Sequence, residues 1–396
     1  MKKDILILSF YYPPDLSACA FRISALVKAI EKKWPSKISV DILTTIPNRY
    51  HSFVAKAPSL EKGDRIFIKR FSLPEHKGRF LDQSYAFAHF AKQVIFHTRN
   101  KKYDLIFATS SRLMTAALAA HIAQSQKTQL YLDIRDILTD TMNDLLKFPA
   151  KYIILPILKA IEKRTMLQAN VINLVSPGFG NYFSKKYPRK RLNFFTNGID
   201  EEFIDSINNI NNISTDSEEQ LTIVYAGNIG EGQGLHSIIP KLAKYLVDFQ
   251  FKIIGDGGTK DELLYRIKRE NIHNVKILPP MPRQELLKHY KSADILFLHL
   301  NDYQAFQKVL PSKIFEYGAL GKPILAGVAG YAAEFIKKEI KNAQVFSPCN
   351  AEDAIRCFKK LKLGDSKRDI SFIEKFRRDR IMSQMAEDIL LTIQEK

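Results

Sequence analysis

Three side chains in the stretch PSKIFEYGALGKPILA, residues 311–326, have types and spacings that can hold an anionic ligand bearing hydroxyl groups. On a helix Lys313, Glu316 and Tyr317, three and four positions apart, place a cation, a carboxylate and a phenol on one face near the positive N-terminus. A solvated helix face with an ion pair has the same spacing. Pro311 suits a first helical turn, Gly321 the position just past the last, and 323–326 a short buried strand.

Two glycine loops carry further chemistry. Gly227, Gly230, Gly232 and Gly234, interleaved with Asn228 and Gln233, follow the apolar run TIVYAG and precede the helical run LHSIIPKLAKYL. Glycines there let backbone amides approach a ligand, and the helix start behind them favours a phosphate, although a tight turn uses the same residues. The Gly-Lys-Ser/Thr ending of a Walker loop is missing. FKIIGDGGTKDEL repeats the arrangement with Gly255, Asp256 and Gly257. In the first half, Asp133, Arg135, Asp136 and Asp140 cluster at the end of QLYLDIR. Such carboxylates can bind ligand hydroxyls or take the proton of an attacking hydroxyl, and can equally be a helix cap and an Arg–Asp pair. Ser176, Asn197 and Gly198 are turn residues able to reach the same region. His299 is a lone histidine at a strand end, and the other histidines have no metal-ligand spacing.

The elements that must position these residues are legible from periodicity. Apolar strand-like runs at 4–9, 37–44, 65–70, 103–110, 129–135 and 170–176 alternate with helical periodicity at 17–33, 81–99, 112–125 and 150–168. After a polar, asparagine-rich stretch at 201–219, the alternation restarts with TIVYAG, FKIIG, VKIL, ADILFLHL, PILA and AQVFS. This predicts an α/β chain with two doubly wound parallel sheets and a cleft at their carboxyl edges. The expected divisions are 1–199, a linker 200–219, 220–365, and a terminal helical segment 366–396, helical from about 369 to 394, that packs back on the first domain.

Charge is unevenly distributed. Residues 1–200 hold 32 Lys and Arg against 15 Asp and Glu, whereas 201–396 hold 28 against 27. The basic half suits an anionic membrane surface, nucleic acid or phosphorylated substrates. KFPAKYIILPILKAIEKRTM, 147–166, sets Lys147, Lys151, Lys159, Lys163 and Arg164 among bulky apolar residues, as an interfacial helix or an ordinary surface helix would. The apolar run at 5–12 is too interrupted for a secretory signal, and 152–161 too short for a span. Three scattered cysteines predict neither disulfide nor structural zinc. The expected location is the cytoplasm, with peripheral attachment to the inner face of the membrane through the basic half.

The succession VYAGNIGEGQGL, FKIIGDGG, ADILFLHL and PSKIFEYGALGKPILA resembles the nucleotide-sugar half of retaining GT-B glycosyltransferases of family 4. ILSFYYPPDLSACAFRISALVKAI, INLVSPGF and FTNGIDEEF match the family's first half, so the resemblance covers nearly the whole chain. YLDIRDILTDT with GNIGEGQGL and PSKIFEY is most similar to the branch containing N-acetyl-L-fucosamine transferases of bacterial O-antigen and capsule assembly. The resemblance implies that Glu316 binds ribose hydroxyls as the second glutamate of a paired motif, whose first position is Lys308 here. The family's usual Arg and Lys after the 221–227 strand are absent near Asn228 and Gln233, so Lys313, with Arg22 second, is assigned to the diphosphate. Leu16 to Ala20 replace a glycine-rich loop.

The implied catalytic set is Lys313, Arg22, Asp133 and Asp136. The implied donor set is Glu316, Tyr317, Ser312, Gly227, Asn228, Gly230, Gln233, Gly234, Gly255, Asp256, Gly257 and Met281, and the acceptor set is Ser17, Arg135 and Ser176. The implied reaction transfers an N-acetylated hexose such as N-acetylfucosamine from a UDP-sugar to a polyprenyl-diphosphate-linked saccharide without metal or other cofactor. Charge on the leaving diphosphate would be met by the fixed cations and the glycine-loop amides. Two rivals are a nucleotide-sugar 2-epimerase of the same architecture and a non-catalytic nucleic-acid-binding protein. The second lacks an aromatic-basic recognition motif.

Overall fold

The computed structural model describes residues 2–34, 37–50, 52, 55–74, 80–110, 112–205 and 220–395. Most of the stretch expected to be a linker, 206–219, lies outside them. The chain divides into two compact units: one of residues 1–49, 54–197 and 379–396, the other of residues 50–53 and 198–378.

Among the described residues the first unit holds eight strands: β1 (Lys3–Leu8), β2 (Ile38–Thr45), β3 (Leu60–Lys62), β4 (Ile66–Phe71), β5 (Leu105–Ser110), β6 (Gln129–Ile134), β7 (Val171–Leu174) and β8 (Arg191–Asn193). Their order is β3-β4-β2-β1-β5-β6-β7-β8, parallel except for β3 against β4. Periodicity in the sequence does not reveal the three-residue strands β3 and β8, which are too short to show an alternation. The Leu- and Ile-rich central strands are buried on both faces, as parallel strands under crossover helices must be. On one face Ile23, Leu26 and Ile30 of helix Ala18–Lys33 join one core with Met382, Met385, Ile389 and Ile393 of helix Arg378–Gln394. The terminal helix therefore contributes to the first unit's core, as the sequence leads one to expect.

That terminal segment is not continuous. It forms helix Ile370–Lys375, capped by Asp369, and then Arg378–Gln394. At the break Ile199 N–H donates to the Phe376 carbonyl at 2.7 Å and Arg378 N–H to the Ile199 carbonyl at 2.9 Å. A backbone engaged sideways in a β-bridge cannot continue the helical ladder, and the Phe376 ring is packed among Phe315, Phe335 and Phe372.

The second unit is a six-stranded, fully parallel sheet of β9 (Thr222–Asn228), β10 (Gln250–Asp256), β11 (Val275–Leu278), β12 (Ile295–His299), β13 (Ile324–Gly327) and β14 (Ala343–Phe346), in the order β11-β10-β9-β12-β13-β14. All six match the strand-like runs in the sequence. The order reverses between β9 and β12, and beyond their carboxyl ends lies the usual ligand position of such a sheet.

Candidate functional site

The site is assembled on that switch point. β9 ends in Gly227-Asn228, paired in register with Gly255-Asp256 at the end of β10. A methyl group built on Gly255 would sit 1.8 Å from the Gly227 carbonyl oxygen, so no side chain fits between the two backbones. Gly227 itself has φ +148°, a region that favours glycine, and a methyl there would fall 2.6 Å from Lys313 Cε and 3.0 Å from Nζ. Lys313, first residue of helix Lys313–Leu320, thus lies over the end of β9. Among the described residues its ammonium makes no hydrogen bond or ion pair, and desolvation pulls its pKa down, opposed by Glu316 and reinforced by Arg283.

Glu316, one turn along, is mostly buried and takes a 3.4 Å ion pair from Arg283 Nη2. Arg283 is the residue that the sequence reading missed. It opens helix Arg283–Ser292 and also pairs with Asp200 and, at 3.6 Å, with Glu202. The three carboxylates, led by Glu316, raise its pKa against desolvation. One signal was available: a cation at a helix N-terminus opposes the macrodipole unless carboxylates compensate it, and DEE stands at 200–202.

The glycine loop is tied down from within. Asn228 Nδ2 donates to Gln233 Oε1 at 2.8 Å, the Tyr225 hydroxyl donates to the Asn228 carbonyl at 2.7 Å, and Ile229 N–H donates to the Asp256 carbonyl at 2.8 Å. Gly230 and Gly234 flank the short 3-10 turn Glu231–Gln233. Asp256 accepts from Gly257 N–H at 2.9 Å. His299 is buried as a strut: Nδ1 donates to the Gln233 carbonyl at 2.6 Å while Nε2 accepts from Cys349 N–H at 3.0 Å. Desolvation lowers its pKa to about 4, keeping it neutral.

Several expected positions have other tasks. Tyr317 is fully buried, edge-on to Tyr290 at 5.2 Å in the second unit's core. It shares Lys313's stripe but is fully buried, so its phenol is not exposed to solvent. Met281 packs half-buried against the same core. Ser312 is the N-cap of helix Lys313–Leu320, but its hydroxyl makes no capping bond. Pro311 precedes the cap and is not in the first turn.

In the first unit, the expectation that Arg22 and Asp133 face a ligand gives way to a closed ion pair. Arg22 Nε and Nη2 donate to the two Asp133 oxygens at 2.9 Å, Nη1 to the Thr196 carbonyl at 2.5 Å and Nη2 also to the Phe195 carbonyl at 2.8 Å. Asn173 Nδ2 adds a third donor to Asp133 at 2.7 Å. Both partners are fully buried, and Asp133 is held below the usual carboxylate range by Arg22 against a strong opposing desolvation. Such a pair positions β6, the helix Ala18–Lys33 and the 195–196 turn. Ser17 caps that helix through Ala20 N–H at 3.1 Å, and buried Ser176 caps a 3-10 turn through Gly178 N–H at 3.3 Å. Asp136 is different. It is exposed just past β6, with the Arg135 and Arg49 guanidinium groups near its carboxylate. Arg135 Nη1 donates to Asn197 Oδ1 at 3.3 Å. Among the described residues no three His, Cys, Asp or Glu side chains converge as a metal-binding group, and no helix is long and apolar enough to cross a membrane.

Residues 206–378 match the family model described as glycosyl transferases group 1. Most of the second unit is thus similar to group 1 glycosyltransferases, and the chain has the GT-B fold. Sucrose-phosphate synthase from Thermosynechococcus elongatus is similar over the full length of both chains, at 12% identity and a TM-score of 0.74. The Anabaena protein HepE, solved in complex with UDP and glucose, is similar over 98% of this chain and 99% of its own, at 16% identity and a TM-score of 0.65. A glycosyltransferase from Rickettsia africae gives 14% identity and a TM-score of 0.61, with 100% of this chain and 99% of that one covered. No curated protein matches the chain.

Proposed function

We propose that the protein transfers a sugar, with retention, from a UDP donor to a polyprenyl-diphosphate-linked saccharide at the cytoplasmic face of a membrane, in surface-polysaccharide assembly of the O-antigen or capsule type. The donor sugar proposed is N-acetylfucosamine or a related N-acetylated hexose. The observation that carries this reading is the unpartnered Lys313 ammonium over the Gly227 backbone, with Glu316 one turn away. Glu316, oriented by Arg283, accepts hydrogen bonds from the two ribose hydroxyls. Lys313 and the amides of the 227–234 loop meet the charge that builds on the leaving diphosphate, where fixed donors act without reorganisation. The acceptor hydroxyl attacks from the leaving-group face and passes its proton to a phosphate oxygen. Asp136 and Arg135 bind the acceptor's hydroxyls, a task suited to a solvent-open carboxylate with a neighbouring guanidinium. HepE's complex with UDP and glucose supports the choice of nucleotide.

The reading is tested by thermal shift with UDP and a panel of UDP-sugars. A ligand at a hundred times its Kd stabilises by about 2.7 kcal/mol. Glu316→Ala is expected to weaken UDP about 10- to 100-fold, the worth of hydrogen bonds to a charged group, while 2′,3′-dideoxy-UDP binds both proteins alike. An unchanged UDP shift in the variant would overturn the ribose assignment.

A further inference from the structure

The first unit carries an exposed apolar face that its own core does not use. Helix Ala150–Gln168 buries Leu155, Leu158, Thr165 and Met166. Its opposite side is open: Tyr152 is 74% exposed, Ile153 65% and Ile157 56%, and Phe148, just before the helix, is 82% exposed. Single exposed apolar residues are ordinary, but four neighbours at helical spacing form a patch of the kind that marks an interaction site.

The exposed charge on this helix is of one sign, while helix Leu138–Leu145, packed against it, adds the half-buried Asp140 and Asp144. Lys147, Lys159, Lys163 and Arg164 are exposed, and Lys151 is half-buried. The sole acid between Lys147 and Gln168 is Glu162, which is buried and consumed by Thr139, Tyr182, Lys186 and Tyr187. Cations outnumber acids on this side, which repels a second copy of itself and attracts an anionic surface. Apolar residues flanked by cations, with a tyrosine and a phenylalanine among them, suit the boundary between lipid headgroups and acyl chains.

Topology fixes which end of the unit the patch occupies. The helix lies in the crossover between the parallel neighbours β6 and β7, so it runs back against them and starts at their carboxyl edge. Its 19 residues span about 28 Å, and the exposed residues lie in its first half. Arg135 and Asp136 follow β6 at that same edge.

We infer that Phe148, Tyr152, Ile153 and Ile157, ringed by Lys147, Lys159 and Lys163, form an interfacial membrane anchor that lies on an anionic lipid surface and brings the carboxyl edge of the first sheet to it. This deepens the reading of a lipid-linked acceptor and rests on it for its purpose.

The test is flotation of the full chain with vesicles of phosphatidylcholine alone and of phosphatidylcholine with abundant phosphatidylglycerol. Wild type is expected to float with the anionic vesicles. Tyr152→Ser/Ile153→Ser/Ile157→Ser should lose at least tenfold in partitioning. Lys159→Gln/Lys163→Gln should lose about fivefold per lysine on anionic vesicles, an effect that high salt erases. All substituted positions are exposed, and Trp34 fluorescence checks that the first unit remains folded. Equal flotation of the triple-serine variant and wild type would overturn the anchor. So would a concentration-dependent dimer in sedimentation velocity that the triple-serine variant dissolves. The UDP thermal shift without vesicles is run on the same proteins. Lost flotation with an intact shift is the result expected of the triple-serine variant, whereas wild type that floats without any UDP shift supports the anchor and sinks the donor reading alone.

Discussion

Lys313 and Arg22 are both cations on the first turns of a helix beside a parallel sheet, yet the fold treats them oppositely. Arg22 is sealed, its guanidinium filled by Asp133 and two backbone carbonyls. Lys313 stands over a glycine backbone with no ion-pair partner among the described residues. A fully matched buried charge has spent its capacity on architecture, and removing one side leaves the other stranded in low dielectric. A charge held at a strand end with its hydrogen-bonding capacity unspent is available to a ligand. Position on a helix does not separate these cases; the density of acceptors around the side chain does.

The sharpest way to break this contrast is to exchange the expected phenotypes. Arg22→Met should destabilise the first unit by about 3–5 kcal/mol, the cost of an orphaned buried carboxylate. Urea unfolding followed by Trp34, the chain's one tryptophan, reads this directly. Arg22→Met/Asp133→Leu should recover most of the loss. A stable Arg22→Met protein with abolished turnover would return Arg22 to the catalytic set. Lys313→Ala should lower turnover about 10²–10³-fold, or about 2.7–4 kcal/mol in the transition state, with the melting temperature little changed. Full turnover in that variant would remove Lys313 from the mechanism.

His299 sharpens the same comparison through pH. Its pKa is lowered from 6.5 to about 4 in the folded chain, so between these values the unfolded chain binds the extra proton. Stability from this group is therefore complete above about pH 6.5 and lost as pH falls toward 4, the loss reaching about 2 kcal/mol at pH 5. Protonated Nε2 could no longer accept from Cys349 N–H, which would loosen the loop bearing Gln233. Hydrogen exchange of the β12 amides in wild type and His299→Gln should show this pH dependence in wild type alone. The smallest effect is expected at Gly227→Ala, about 1–2 kcal/mol of strain from its φ. It should appear as weaker UDP binding if Lys313 is displaced, and as stability loss alone if Lys313 swings aside without consequence.

Much of the second unit was legible in the sequence because its strands are continuous apolar runs punctuated by glycine. Gly227 and Gly255 could be nominated before any contact was known, since backbone needs of that kind are written in residue type. The same holds for Glu316, whose place near a helix start follows from local spacing. What spacing could not supply was depth. Tyr317 has the right period to stand beside Lys313, but its ring is fully buried against Tyr290, which only the tertiary packing reveals. Arg283 and Glu316 are 33 positions apart, and Arg22 and Asp133 are 111 apart. Local sequence physics determined which groups carry charge and which backbones turn. The tertiary structure alone decided which charges were spent on each other, because neutralisation depends on distances of a few ångströms between residues far apart in the chain.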